Sequence, residues 1–308
     1  VEFIEIIMPY ILAGISVGGQ YALISIGYTM VYGILRLINF AHGDIFMAAG
    51  LIMVYLAQAL PLYLAIPAVI LIIAIMGFSI ERAAYKPLRN SPRMSVMISA
   101  IGVSYLLQNL ALYITGGLTK NYPQIPWISD SITILGVATK RVTVVTPFFT
   151  AALVVALILL INHTKMGMAM RAVAKDFETS QLMGIKINNV ISATFAIGSL
   201  LAAVGSMLYF TNYPGVFPTA GAMSGLKAFI AAVFGGIGSI PGAVLGGIII
   251  GVSESAIKGM DTVLVHMGVL SAPLELATFS DAFTFVLLIV ILVFKPAGLF
   301  GEKTADKV

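Results

Sequence analysis

Cysteine does not occur in the 308 residues, which removes disulfide frameworks, thiolate metal sites and cysteine nucleophiles at once. Charge is scarce as well. The 17 Lys or Arg and 13 Asp or Glu amount to 10% of the chain, where soluble domains carry roughly 25%. Too few charges are available to coat a globule of this size, so a water-soluble enzyme is excluded. A disordered chain is excluded with it, because hydrophobic residues reach 59% and mean hydropathy is +1.03. No His-Glu-x-x-His occurs, nor any Gly-x-x-x-x-Gly-Lys-Ser/Thr. The chain therefore has neither a zinc-hydrolase helix nor a loop that could bind and hydrolyse ATP itself.

Long apolar runs are what it has. Stretches free of Asp, Glu, Lys and Arg cover 6–35, 45–80, 94–119, 142–164, 187–226, 228–253 and 282–294. A charge at mid-bilayer costs about 2.5–3.5 kcal/mol, and about 20 residues cross about 30 Å of hydrocarbon. The run 45–80 is too long for one crossing, and Pro61 and Pro67 divide it into two short spans. The run 228–253 is interrupted at Gly238-Ser239-Ile240-Pro241-Gly242. Such a break survives in a membrane only when buried in protein or lining a cavity. The expected architecture is an all-α polytopic membrane protein, one transmembrane domain over 1–308, with about eight helices and broken or re-entrant segments. More apolar sequence follows the first run, so no cleavable signal is expected.

Basic residues set the expected orientation. Arg82, Lys86, Arg89 and Arg93 follow the third span, and Lys165, Arg171, Lys175 and Lys186 the fifth. Two crossings separate the clusters, so they share a face, which the positive-inside rule makes cytoplasmic. The tail, with Lys295, Lys303 and Lys307, falls on that face and the N-terminus outside. The 117–143 loop is then extracytoplasmic despite Lys120, Lys140 and Arg141. Its Tyr122-Pro123-Gln124-Ile125-Pro126-Trp127 and the alternation from Ser131 to Gly136 predict extended structure, a small hairpin on the membrane surface. It is a connector or a docking surface for an extracytoplasmic partner.

Residues 163–186 are too patterned for a turn. Met166, Met170, Val173 and Phe177 make an apolar stripe at helical spacing, with Arg171, Lys175 and Glu178 on another face. Asp176 is suited to cap a second short helix and Gly184 to end it in the left-handed conformation, with Ile185 as the apolar contact that follows. Two readings stand: an amphipathic helix resting on lipid headgroups, or a stiff lever that docks a soluble partner and moves the flanking spans.

Three blocks carry a resemblance. Lys165-Met166-Gly167-Met168-Ala169-Met170-Arg171-Ala172-Val173-Ala174-Lys175-Asp176, running on to Leu182-Met183-Gly184-Ile185, resembles the cytoplasmic coupling loop of ABC-importer permeases for branched-chain amino acids. Ile38-Asn39-Phe40-Ala41-His42-Gly43-Asp44, preceded by Gly27 to Gly33, is similar to the LivH-type signature of that family, and Ala231 to Gly242 gives a third match in the family's order. Thr179-Ser180-Gln181 departs from the Ala-rich run expected there. The resemblance covers nearly the whole chain. It implies a permease of a bacterial inner-membrane importer working with a second homologous permease, two cytoplasmic ATP-binding subunits and an extracytoplasmic solute-binding protein. No cofactor is expected in this chain, ATP and Mg belonging to the ATPase subunits, and no catalytic residue, metal site or nucleic-acid partner. Arg171, Lys175, Asp176, Glu178 and Gly184 would couple to the ATPase.

Asn39, His42 and Asp44 admit two compatible readings, a capped helix start near Ile45 and a polar break lining the translocation route. Gly238, Ser239 and Pro241 belong to the second break, where Gly238 with Gly242, and Gly247 with Gly251, form small-xxx-small pairs suited to close helix packing or to a hinge. Glu254 and Asp281 end apolar runs and read as interfacial, while Gln20, Gln108 and Asn109 sit within spans as hydrogen-bonding groups. Competing classes are an ion-coupled carrier, which needs intramembrane ionisable groups that these runs nearly lack, and an intramembrane hydrolase using Gly102-Val103-Ser104 or Gly251-Val252-Ser253 with His266. Urea or short-chain amides remain the alternative cargo.

Overall fold

The computed structural model describes residues 2–89, 91–134, 136–269, 272–295 and 297–301. Leu135 of the expected hairpin and Lys303 and Lys307 of the tail lie outside these residues. In chain order the helices are α1 (Glu2–Leu35), α2 (His42–Ala59), α3 (Leu62–Ile80), α4 (Arg93–Thr115), α5 (Arg141–His163), α6 (Lys165–Lys175), α7 (Phe177–Leu182), α8 (Ile187–Asn212), α9 (Ala220–Gly235), α10 (Ile240–His266) and α11 (Ser280–Phe294). Among the described residues eight helices are long and apolar enough to cross a bilayer, and α9 is a shorter apolar helix. The architecture is all-α and polytopic.

Pro61 stands between α2 and α3 with extended ψ of 148°, as expected. Pro67 does not divide the run: it lies inside α3. Its ring sits near the helix start, where one missing N–H deprives only the Tyr63 carbonyl, a loss that membrane helices tolerate. Among the described residues there are also four short strands. β2 (Ser131–Ile134) and β3 (Val137–Lys140) form the expected antiparallel hairpin, while β1 (Lys120–Asn121) pairs with β4 (Gly215–Val216) after α8. Two basic residues of this loop are engaged within the protein: Lys140 Nζ donates to the Asn212 carbonyl at 2.6 Å, and Arg141 pairs with Asp130 at 3.3 Å.

Alternate spans run in opposite directions, so one face of the bundle carries the hairpin and the other carries α6 and α7. α1 touches β3 toward one face and α6 toward the other. α1 starts on the hairpin face. α11 ends on the opposite, lever face, where the backbone of 299–300 bonds to that of 234–235.

Burial divides the spans. α1, α2, α8 and α9 form the interior, with Phe46, Phe195, Phe210 and Ile191 fully enclosed. α3, α4, α5 and α11 bury one stripe and turn Leu71, Tyr105, Phe148 and Val293 outward. Water would penalise that pattern; lipid does not.

Without a hydrophobic drive between helices in lipid, contact depends on how closely backbones approach. α1 and α10 run antiparallel and touch backbone to backbone: a Cβ on Gly18 would lie 2.7 Å from the Ile248 Cα, and one on Gly247 would lie 2.7 Å from the Ala22 Cα. Gly251 meets Gly18 in the same seam. Gly238 does not contribute to packing. Nothing lies within 4 Å of its Cβ position, and it serves its turn through φ of +102°.

Both α2 and α9 begin inside the bundle. His42, the first residue of α2, packs on Gly27 of α1, eight residues and so about 12 Å short of the α1 end. α9 starts against the same place, since a Cβ on Gly43 would sit 2.7 Å from the Gly225 Cα and one on Gly221 2.8 Å from the Asp44 Cα. Two helix N-termini thus meet within the membrane. Gly18→Leu is expected to destabilise the fold by ~1–3 kcal/mol or more through overpacking. Gly33→Ala, with open space around it, is expected to leave it unchanged. Thermal unfolding in detergent reads both.

Candidate translocation site and coupling face

The entry to α2 is irregular over 36–41, with Arg36 in the left-handed region at φ +54°. Neither Asn39 nor Asp44 caps the helix. The N-cap is Ala41, without a side-chain cap bond. The Asn39 carbonyl accepts from the His42 N–H at 3.1 Å, and its side-chain Oδ1 accepts from the Tyr85 hydroxyl at 2.7 Å. Asp44 reaches away from its own helix to α4, where Ser104 Oγ donates at 2.5 Å and Gln108 Nε2 at 3.0 Å. His42 is enclosed, edge-on to Tyr28 at 4.9 Å between ring centroids, and its Nε2 has no hydrogen-bond partner. Gly27 and Gly198 make room for the ring.

The second break has its own construction. Gly236 and Gly238 adopt φ of +105° and +102°. Ser239 caps α10, its Oγ accepting from the Gly242 N–H at 3.2 Å, and Pro241 occupies the first turn, where its missing N–H costs nothing. The N–H groups of Leu299 and Phe300 donate to the Phe234 and Gly235 carbonyls, both at 2.9 Å, so backbone left open by the break is satisfied from the C-terminal segment.

Asn39, His42 and Asp44 belong to the first break, whose Gly43 and Asp44 pack on Gly221 and Gly225 of α9, and Gly238, Ser239 and Pro241 belong to the second, just past the α9 end. α9 has 16 residues, a length of about 24 Å. A crevice with no room for a water molecule is lined by Tyr28, Tyr32, Ile38, Phe229, Ala232 and Ile237, so residues next to both breaks meet there. Its walls are apolar and aromatic.

Sequence reasoning missed a buried charge cluster. Glu254 is enclosed rather than interfacial: its carboxylate accepts from Lys227 at 3.0 Å, Lys258 at 2.5 Å and the Tyr21 hydroxyl at 2.9 Å. Lys227 also pairs with Asp281 at 2.6 Å, and Asp281 is 42% exposed, as an interfacial group should be. Lys227 carries the signal that was available, as the one charge between residues 187 and 253. The Gly-x-Ser pattern acquires a different meaning, because Ser104 is committed to Asp44 and His266 ends α10. Among the described residues no group of three or more His, Asp or Glu is arranged to hold a metal ion.

The 163–186 segment is two helices meeting at an elbow. The Thr164 hydroxyl caps α6 by accepting from the Gly167 N–H at 3.0 Å. Asp176 caps α7, accepting from the Thr179 N–H at 3.0 Å and the Thr179 hydroxyl at 2.6 Å. Gly184 ends it at φ +82°: the Ile185 N–H reaches the Ser180 carbonyl at 3.1 Å and the Gly184 N–H the Gln181 carbonyl at 3.0 Å. The apolar stripe is only half as predicted. Gly167, Met170 and Val173 are buried, whereas Met166 and Phe177 are exposed. The extended Asp176, at ψ 109°, resets the helical phase before Phe177. Leu182 and Met183 are 87% and 78% exposed, beside exposed Arg171, Lys175 and Glu178.

Eight apolar spans, two broken helix entries and a capped two-helix segment on one face define a polytopic membrane domain. Residues 10–292 match the family described as the branched-chain amino acid transport system permease component, and the chain belongs to that family. It is 38% identical over 308 residues to the high-affinity branched-chain amino acid transport permease LivH of Salmonella typhimurium, covering 96% of each chain. Similarity to BraD of Pseudomonas aeruginosa is also 38% over 96% of each chain, and to LivH of Escherichia coli K12 it is 37% over the same shares.

Removing Lys227 leaves Glu254 with Lys258 and Tyr21 alone and Asp281 without its partner. Lys227→Met is therefore expected to destabilise the fold by less than the ~3–5 kcal/mol of a fully unpaired buried charge, and Lys227→Met combined with Glu254→Met to recover part of that loss. Unfolding midpoints of the two purified variants make the comparison.

Proposed function

We propose that this chain is the membrane-spanning subunit of an ATP-driven importer that carries branched-chain amino acids across a bacterial inner membrane. It works with a second homologous permease, two cytoplasmic ATP-binding subunits and an extracytoplasmic solute-binding protein, and it performs no covalent chemistry. ATP and Mg belong to the ATPase subunits.

The observation that carries this reading is the 163–186 segment. Its outward side is apolar and charged together, with Phe177, Leu182 and Met183 beside Arg171, Lys175 and Glu178, a composition suited to a protein partner. Its inner side packs on α1, α5 and α8, and its second helix leads straight into α8. The caps at Thr164, Asp176 and Gly184 make it stiff. A push from the ATPases is therefore delivered to buried helices instead of being absorbed in a flexible loop, and rocking of those helices alternates access to the two faces. In this orientation the lever face is cytoplasmic and the hairpin face extracytoplasmic.

Branched-chain amino acids, which the similar permeases are named for, are the favoured cargo over urea or a short amide. An ion-coupled carrier would use Asp44 or the Lys227–Glu254 pair, but each is engaged within the protein.

Arg171→Glu with Asp176→Ala is expected to leave the assembled importer inserted and hydrolysing ATP while uptake of leucine falls severalfold. Leucine uptake and phosphate release in proteoliposomes measure the ratio, and an unchanged ratio overturns the lever. Ion-gradient-driven accumulation by the isolated subunit would replace the whole reading with a carrier.

A further inference from the structure

We infer that the π-helical turn at Glu81–Tyr85 is a second coupling element, fastening the first turns of α8 to the irregular entry of α2, with Tyr85 as the positioning residue. The inference rests on the lever reading, because it concerns where the lever's motion goes.

The turn follows α3 directly and is closed by the Lys86 N–H on the Glu81 carbonyl, five residues back. Turns of this width are rare and concentrate at functional sites. Here the turn delivers two side chains to the interior. Glu81 is fully buried and Tyr85 nearly so.

Glu81 accepts from the Arg89 guanidinium and from the Ser192 hydroxyl, and Arg89 donates in addition to the Asn188 side-chain oxygen. Asn188 and Ser192 belong to the first two turns of α8, and Asn188 stands four residues beyond Gly184, where the lever ends. Charge-assisted bonds of this kind are short and strong, and a carboxylate without them would be bare in an apolar interior. The end of α3, the connector to α4 and the root of α8 are thereby held as one piece.

Tyr85 carries the connection onward. Its ring lies 5.0 Å from that of Phe195, and its hydroxyl donates to Asn39 Oδ1 at 2.7 Å. Asn188, Ser192 and Phe195 recur at spacings of four and three, so one stripe of α8 makes all three contacts. Asn39 in turn receives the His42 N–H that opens α2, and Asp44 in the same turn is bonded to Ser104 and Gln108 of α4. A rotation or shift of α8 at its root must then move the α2 entry, or break the bond between Tyr85 and Asn39. In either case the break at 36–41 answers to the lever through specific side-chain bonds, not through bulk packing.

The test uses the complete importer in proteoliposomes with leucine as cargo. Tyr85→Phe deletes one hydroxyl, and Asn188→Ala deletes one acceptor. Each alone is expected to lower leucine transported per ATP hydrolysed severalfold, with the double variant no worse than the more severe single one. Residues acting along one route are non-additive in this way. Asn188→Asp, which keeps an acceptor for Arg89, is expected to restore the ratio, a rescue that mere loss of stability would not produce. Independent, multiplicative effects or unchanged ratios overturn the inference. If Tyr85→Phe does not assemble, Ser192→Ala enters the cycle in its place with the same criterion. Uncoupling by Arg171→Glu with Asp176→Ala alongside an additive cycle would remove this element and leave the lever standing. Failure of both sets would remove both.

Discussion

Hydrocarbon offers no hydrogen-bond partner, and that constraint decides where this chain can depart from helix. The entry to α2 and the turn between α9 and α10 are irregular, and most of the polar groups named there are paired, with His42 Nε2 and Asn39 Nδ2 the exceptions. Tyr85 serves Asn39, Ser104 and Gln108 serve Asp44, Ser239 serves the start of α10, and the backbone at 299–300 serves the end of α9. Glycine makes this possible. Gly43, Gly221 and Gly225 let two helix N-termini meet without side chains between them, and Gly27 with Gly198 admits the His42 ring. Both helix starts carry partial positive charge, and Asp44 in the first turn of α2 answers it.

The same constraint explains the charges. Lys227, Glu254, Lys258, Asp281 and Tyr21 form one network joining α1, α9, α10 and α11. Ion pairs of this kind contribute little net stability over an apolar substitute, but they penalise any arrangement that separates them. That suits a bundle whose helices must move as blocks. The lever follows a parallel logic on the opposite side. Its bonds are local, its buried side is small, and its exposed side presents large apolar groups.

Membership in the branched-chain amino acid permease family and the geometry support each other at the coupling segment. The segment running from Thr164 to Ile185 is the part of the sequence most visibly patterned, and its caps and terminator are complete within its own residues. Gln108, read from the sequence as a group bonded between helices, is such a group, bridging α4 to Asp44 of α2. Gln20, read in the same way, has both amide atoms buried without a protein partner.

By itself the sequence determined everything governed by solvent preference or by neighbours along the chain. Scarce charge and long apolar runs gave the membrane class and the eight spans, since burial in lipid depends on composition alone. Pro61, the 131–136 alternation, Asp176 and Gly184 gave a break, hairpin, cap and stop, because each acts over a few residues. Tertiary structure alone decided the partners across long separations. Asn39 with Tyr85, Asp44 with Ser104 and Lys227 with Glu254 are joined over 46, 60 and 27 positions, and no periodicity encodes which helix faces which. Glu254 could be read as interfacial, Pro67 as a divider, Gly238 as a packing residue and Phe177 as part of a stripe, since each rests on a local pattern that a neighbouring helix or a reset of phase overruled.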